Sequence, residues 1–267
     1  MKENILTIKL LARYILPGRI YKFLSMVKNN LFLIFGYRDL RMFTADYEQH
    51  WKYRIKGEIP KRRMKKLEAI SLLLEKDCSV LDLGCGDGVG LEIIKKNEIS
   101  QQLYGIDISK QAVEECKKRG IEAKQGDVTD IDFINRLANF DYIILADVIE
   151  HTPNPEEILV ALKDKFTRGI IVSLPNTGFI QHRVRLLMGK FPMQWDIFPG
   201  KHLRFWTYRD FLWWSDKLGF EVKKFIPIIG LWLLKKIWPN LFCDVMIFLL
   251  IRKNKNHDAE ERFIHLS

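Results

Sequence analysis

Residues 79–83, Ser-Val-Leu-Asp-Leu, are apolar around a single acid and run directly into Gly84-Cys85-Gly86-Asp87-Gly88, after which 89–96 has helical spacing. A short apolar run closed by glycines reads as a buried strand, and the glycines let the backbone turn tightly and come close to a ligand. A strand that hands over to a helix through such a turn must find its next strand alongside and parallel, because the helix returns the chain to the starting edge. The unit recurs. Residues 103–106 form a strand ending at Asp107, and Ser109 caps a helix to Arg119. Residues 121–124 precede Gly126-Asp127, and 141–146 and 169–174 are nearly continuous apolar runs, as expected of strands covered on both faces. Pro155 opens a helix through Lys165, with Glu156 and Glu157 in its first turn, and a helix over 67–74 precedes the first strand. The alternation predicts an α/β fold: a Rossmann-like, doubly wound, mainly parallel sheet with helices on both faces.

The rhythm breaks after Pro175. Residues 176–206, rich in aromatics, Arg, His and Pro, are too long for a plain connection and read as an insertion after the fifth strand, on the acceptor side. A helix over 207–218 ends at Gly219, and 220–227 and 241–252 read as final strands. The chain thus divides into a basic helical extension and lid (1–65), a main domain (66–252) and a polar tail (253–267). Of a net charge of +10, residues 1–66 hold 16 Lys and Arg against 5 Asp and Glu, so the basicity is a property of the N-terminal quarter. Such a face suits a peripheral contact with an anionic membrane, through 1–40 and the apolar stretch 225–238, or packing on the main domain. No apolar run approaches the roughly twenty residues of a transmembrane helix. The scattered Cys78, Cys85, Cys116 and Cys243 suggest neither zinc nor disulfides and fit a cytoplasmic protein.

Asp82 bears on the ligand. An acid two residues before the glycines is a poor neighbour for a pyrophosphate and a good one for a ligand carrying an ammonium and a sulfonium, and the spacing is G-x-G-x-G where dinucleotide sites have G-x-G-x-x-G. Asp107, beside Ile108, stands where a carboxylate accepts from both ribose hydroxyls. Asp127 can reach an adenine amino group with Val128 beside the ring, and Ala146 ends the fourth strand ahead of Asp147-Val148-Ile149-Glu150-His151.

The segments VLDLGCGDG (80–88), YGIDIS (104–109), QGDVTD (125–130) and FDYIILADVIEHTPNP (140–155) resemble successive motifs of class I S-adenosylmethionine (SAM)-dependent methyltransferases. The resemblance implies SAM as cofactor, with Gly84, Cys85 and Gly86 at its methionine part, Asp107 on the ribose, Asp127 near adenine and Ala146 lining the pocket. It also implies seven strands in the order 3-2-1-4-5-7-6, the last pair antiparallel. A looser resemblance, in IIVSLPN (170–176), HRVRLLMGKFP (182–192), HLRFWTYRDF (202–211) and LGF (218–220), is to the methionine-biosynthesis protein MetW family and related enzymes of envelope-sugar pathways.

Transfer to a hydroxyl needs a group that removes its proton, and histidine suits neutral pH. His151, His202 and His182 are the candidates, with His50 behind them, and no metal is assigned. Tyr47, Trp51 and Arg54 occupy the place where related enzymes fold a lid over the cofactor. Asn176, Arg183 and Arg204 are candidate acceptor contacts, the arginines for a phosphate or carboxylate. The expected acceptor is a small molecule, a glycan or a lipid-linked group, methylated on oxygen rather than nitrogen, with no nucleic acid expected. The alternatives are a non-catalytic SAM-binding partner of another biosynthetic enzyme, a nicotinamide-dependent oxidoreductase and an RNA methyltransferase.

Overall fold

The structure is a computed structural model, which describes residues 31, 32, 34–36, 51, 59–192, 202–231 and 233–253. Its elements are α1 (Lys61–Ser71), β1 (Ser79–Leu83), α2 (Val89–Lys96), β2 (Gln102–Asp107), α3 (Lys110–Lys118), β3 (Glu122–Gln125), α4 (Ile131–Asn135) and β4 (Phe140–Ala146). A 3-10 turn (Ile149–His151), α5 (Pro155–Leu162), β5 (Phe166–Pro175), α6 (Ile180–Leu187), α7 (Tyr208–Lys217), β6 (Phe220–Gly230), α8 (Leu234–Ile237), α9 (Pro239–Phe242) and β7 (Cys243–Arg252) follow. Two compact units divide the chain: residues 1–42 with 180–199, and 43–179 with 200–267.

The larger unit holds one seven-stranded sheet in the order β3-β2-β1-β4-β5-β7-β6, as expected. The first five strands pair in parallel, whereas β7 runs antiparallel to both β5 and β6. The period of two in a strand sorts the core. Leu81, Leu83, Ile143, Leu145, Val172, Met246 and Phe248 meet α5 and α7 on one face. Val80, Tyr142, Ile144, Ile171, Ile247 and Leu249 meet Ile70 of α1, Leu91 and Ile94 of α2 and Val113 of α3 on the other. β6 is one of the two edge strands; it tolerates Pro227 and several register shifts because, among the described residues, its outer backbone groups have no ladder to complete.

The helices begin where the chemistry allows. Ser109 accepts from the Ala112 amide at the start of α3, and Thr207 with Asp210 forms a reciprocal capping box on α7. Several boundaries differ from the sequence reading, among them the ends of α1, α5 and β6, and three differences have a clear physical cause. α1 begins at Lys61, six residues before 67, because its first turns are charged and show no apolar period. The last strand begins at Cys243, since Pro239 opens a helical turn that takes Leu241. The 176–206 stretch is not one piece of structure: α6 belongs to the smaller unit, while 202–206 belongs to the larger. Within the smaller unit, buried Arg185 of α6 donates to the carbonyls of Ile34 (3.0 Å), Gly36 (2.9 Å) and Phe191 (2.7 Å), one guanidinium serving carbonyls of two chain segments. Among the described residues, no helix is long and apolar enough to cross a membrane.

The aromatic run after 204 divides by burial. Trp206, Phe211 and Trp214 are core, and Phe205 and Trp213 are exposed. Phe248 of β7 closes that cluster, fully buried with its ring centroid 4.3 Å from Phe211 and 5.0 Å from Phe225. Phe248→Ala is expected to destabilise the protein by about 3–5 kcal/mol through lost transfer energy and a residual cavity. A urea titration reads this as a lowered midpoint.

Candidate active site

Because β1, β2, β3 and β4 are neighbours and parallel, their carboxyl ends share one edge of the sheet. The turn after β1 is pinned there: the amides of Gly84 and Cys85 both donate to the Ile106 carbonyl, at 2.7 and 3.0 Å. Gly84 has φ +82°, and a Cβ on it would sit 2.5 Å from Val148 Cγ2. Gly86 has φ +57°, and a Cβ there would run into the Trp51 indole. Both positions therefore demand glycine for conformation and for space. Asp107 locks the arrangement: Oδ2 accepts from the Gly86 amide (2.8 Å) and Oδ1 from the Ser109 amide (2.9 Å).

Asp82, at the last but one position of β1, is buried, and among the described residues its Oδ1 has no hydrogen-bond partner. Burial and the nearby Asp107 carboxylate push its pKa up to about 7, against a smaller pull from Arg63 and Lys66. A native structure seldom leaves such an oxygen orphaned. It is an acceptor prepared for a donor, and a cationic donor suits it best. The glycine turn supplies the approach and Asp107 a second carboxylate, so these residues fit a ligand with an ammonium at one end and a nucleoside at the other.

The surrounding charges are paired. Arg63 grips Asp87 with both terminal nitrogens, Nη1 to Oδ2 at 3.0 Å and Nη2 to Oδ1, and lies 5.7 Å from the centre of the Trp51 ring. Burial opposes ionisation of Asp87, but the guanidinium outweighs it and holds the carboxyl below its usual range. Lys66 pairs with Asp147, a solvent-exposed residue whose Oδ1 also accepts from Ser173 Oγ at 2.9 Å; what desolvation it suffers is outweighed by these partners, and the Asp147 pKa is lowered. Asp147 has φ +58°, a left-handed conformation that a non-glycine residue holds at a cost, and such positions cluster at working sites. Cys85 carries no nucleophile here, because its contact with Cys116 and its burial drive the thiol pKa upward.

Beyond β4, the carbonyl of buried Glu150 accepts from the amides of Leu203 (2.7 Å) and Arg204 (3.2 Å), which fastens the 202–204 segment to the 3-10 turn. His202 is thereby set edge-on to His151, ring centroids 4.7 Å apart at 87°. Glu150, His151 and His202 each bring one ligand atom within 4.8 Å of the others.

The structure gathers Asp82, Gly84, Cys85, Gly86 and Asp107, with Trp51 over the turn, and separately brings His151 and His202 together. Ile108 follows Asp107 and is exposed; Ala146 ends β4, half-buried. Asp127 and Val128 follow β3, but Asp127 Oδ1 closes its own loop, accepting from the amide (2.8 Å) and hydroxyl (2.7 Å) of Thr129. Asn176 is corrected: fully buried, it donates to the carbonyls of Cys243, Pro239 and Asn240 and accepts from the Gly178 amide, so it ties β5 to the turn before β7 and has no face for an acceptor. Arg204 is paired with Glu156, which also accepts from Trp214 Nε1 at 2.8 Å. His182 and Arg183 are in α6, part of the smaller unit. Tyr47, His50 and Arg54 lie outside the described residues. Sequence reasoning missed Arg63, Lys66, Asp87 and Glu150. Asp87 and Glu150 stood inside the quoted motifs, whereas Arg63 and Lys66 are hidden in a basic run.

The family model described as methionine biosynthesis protein MetW matches residues 64–250. The chain belongs to the MetW family. Outside the family model, it is 28% identical over 163 residues to the bifunctional methionine biosynthesis protein MetXA/MetW of Rhodopirellula baltica, a match covering 54% of this chain and 25% of that one. It is 25% identical over 131 residues to a mitochondrial ubiquinone biosynthesis O-methyltransferase of Candida albicans, covering 45% and 39%. The chain therefore spans well under half the length of these two curated relatives. Its fold is that of class I methyltransferases. It superposes with a TM-score of 0.53 on magnesium protoporphyrin IX methyltransferase of Synechocystis PCC 6803, a structure with bound SAH, at 17% identity over 77% of this chain and 94% of that one.

The raised pKa of Asp82 has a measurable consequence. Its folded value lies above its unfolded one, so the folded state holds the proton longer, and stability falls as pH rises from the unfolded value to about 7. Between pH 6 and 8 the ligand-free protein is expected to lose about 1 kcal/mol from this residue. Asp82→Asn removes that loss, read as denaturation midpoints that no longer diverge between the two pH values.

Proposed function

We propose that this chain transfers a methyl group from SAM to an oxygen, rather than a nitrogen, of a small-molecule, glycan or lipid-linked acceptor. The observation that carries the reading is the buried Asp82 carboxylate, one oxygen of which is unpartnered among the described residues, beside a glycine turn and Asp107 on one strand edge. SAM supplies an electrophilic methyl on a sulfonium. Asp82 receives its ammonium, the Gly84–Gly86 backbone approaches the methionine part, and Asp107 accepts from the ribose hydroxyls. Asp127, Val128, Ile108 and Ala146 line the adenosine, and Trp51 keeps water from the turn. The reaction is an in-line displacement, in which the sulfur–carbon bond breaks as the oxygen–carbon bond forms, and positioning supplies most of the acceleration. The acceptor's proton leaves on the side of His151 and His202. The O-methyltransferase relative supports oxygen as the target.

Calorimetry is expected to show binding of SAM and of its demethylated product, and none of NAD. Asp107→Ala should weaken SAM at least a hundredfold, because two charge-assisted hydrogen bonds are worth about 1.5–3 kcal/mol each. An unchanged affinity would overturn the placement of the ribose. SAM affinity should fall by up to tenfold per unit as pH drops below about 7, since a protonated Asp82 no longer attracts the ammonium, and Asp82→Asn should flatten that profile.

Membership of the MetW family favours a second reading, in which the domain binds SAM and serves another biosynthetic enzyme without transferring methyl. Radiolabelled SAM incubated with cell-envelope extract separates the two: a labelled acceptor belongs to the first reading, and SAM binding with no labelled product to the second. A lipid-linked acceptor is supported by exposed Leu231, Leu233, Leu234, Ile237 and Trp238 beside Lys235 and Lys236, apolar and basic groups that suit the surface of an anionic bilayer from the cytoplasmic side. The protein should co-sediment with phosphatidylglycerol vesicles at low salt, and Ile237→Asp should abolish this; failure of the unaltered chain to sediment rejects the contact.

A further inference from the structure

The pairing of His151 with His202 leaves Glu150 to be explained. A methyltransferase that needed only a general base would need one imidazole, accessible and oriented. Here two imidazoles and a buried carboxylate, drawn from segments fifty residues apart in sequence, present ligand atoms within 4.8 Å of one another. We infer that Glu150, His151 and His202 form a binding site for one divalent transition-metal cation beyond the carboxyl end of β4.

The donor set is the first argument. Two neutral imidazole nitrogens and one carboxylate oxygen match zinc- or manganese-type cations, while calcium and magnesium prefer oxygen alone. Three protein ligands leave positions open, the pattern of metal sites that act on a substrate; purely structural zinc sites close with four. The second argument is construction. The Glu150 carbonyl holds both the Leu203 and Arg204 amides, so the histidine at 202 is delivered to its neighbour by backbone hydrogen bonds instead of by a chance surface contact. Glu150 is 1% exposed, which keeps its carboxylate from wandering. Bonds of about 2.1 Å place tetrahedral ligands about 3.4 Å apart, so the three atoms must draw together by up to about 1.4 Å, within the reach of side-chain rotation.

The inference rests on the methyl-transfer reading and deepens it. A cation at this point takes the acceptor's hydroxyl oxygen in an open position and lowers the pKa of that hydroxyl. The hydroxyl proton passes to solvent, the methyl carbon leaves sulfur for oxygen, and nothing is oxidised or reduced. The acceptors selected are those with an ionisable hydroxyl, above all phenols and vicinal diols.

The test uses the full chain stripped of metal by chelation and titrated calorimetrically with Zn²⁺ and with Mn²⁺ near neutral pH. One cation per chain is expected, and His151→Gln and His202→Gln should each weaken it at least tenfold, while the melting temperature and SAM affinity stay within twofold of the unaltered protein. Should either variant fold poorly, the unaltered protein loaded with Mn²⁺ gives a direct readout: pulsed electron paramagnetic resonance should show nitrogen couplings from two imidazoles. No saturable binding of either cation below about 1 mM, undiminished binding in both variants, or a Mn²⁺ signal without imidazole nitrogen would each overturn the site. SAM binding without cation binding sinks this inference alone, whereas cation binding without SAM binding sinks the methyl-transfer reading and leaves the cation site standing.

Discussion

Asp107 joins two strand ends through one side chain. One oxygen of its carboxylate holds the Gly86 amide after β1, and the other holds the Ser109 amide ahead of α3. Ser109 in turn caps α3 by accepting from Ala112. The turn that follows β1 is thus fixed to β2 twice, once by the Ile106 carbonyl and once by a carboxylate. Parallel pairing of β1 with β2 and β4 makes this possible, because only a parallel sheet puts successive turns on the same edge. The rest of the site is an elaboration of that edge. Trp51 can lie on the turn because Gly86 has no side chain, and Val148 can approach from β4 because Gly84 has none.

The electrostatic design follows from which acids are paired. Asp87 and Asp147 each have a cation, Arg63 and Lys66, and both titrate low as a result. Asp82 has neither as a direct partner, feels Asp107 as a like charge, and sits high. Two cations supplied by one helix, α1, therefore pair with Asp87 and Asp147 and leave the buried Asp82 carboxylate with only their weaker, indirect pull. Such an arrangement costs stability in the ligand-free protein and returns it when a cationic group arrives, a trade commonly made at working sites.

The fold was legible in the sequence wherever burial imposed a period. β1, β4, β5 and β7 are covered on both faces and read as largely apolar runs, β1 around its single acid, and the motifs that follow them carried the strand order through the resemblance to methyltransferases. Legibility failed where charge hid the period, as in the first turns of α1, and where a proline turn replaced strand, as at Pro239. Within the site, residues on the glycine turn were found because backbone geometry restricts their identity. Arg63 and Lys66 could not be, since a basic run looks alike whether it faces solvent or grips two aspartates across the sheet. Asn176 misled for the opposite reason: a polar residue at a strand end suggests a ligand, yet its amide answers carbonyls that the turn before β7 leaves open.

The two histidines show how position and partner carry different information. Sequence put His151 at the mouth of the edge and His202 fifty-one residues further on, each as a separate candidate for removing a proton. The backbone bonds from Leu203 and Arg204 to Glu150 turn two candidates into one cluster. A lone imidazole near neutral pKa would act as a base whatever its neighbours; two imidazoles set edge to face beside a buried carboxylate compete for the same proton or share the same cation. The inferred cation would engage all three ligand atoms at once, whereas a single proton bridges at most two of them, so a cation accounts for the whole cluster where a base accounts for part of it.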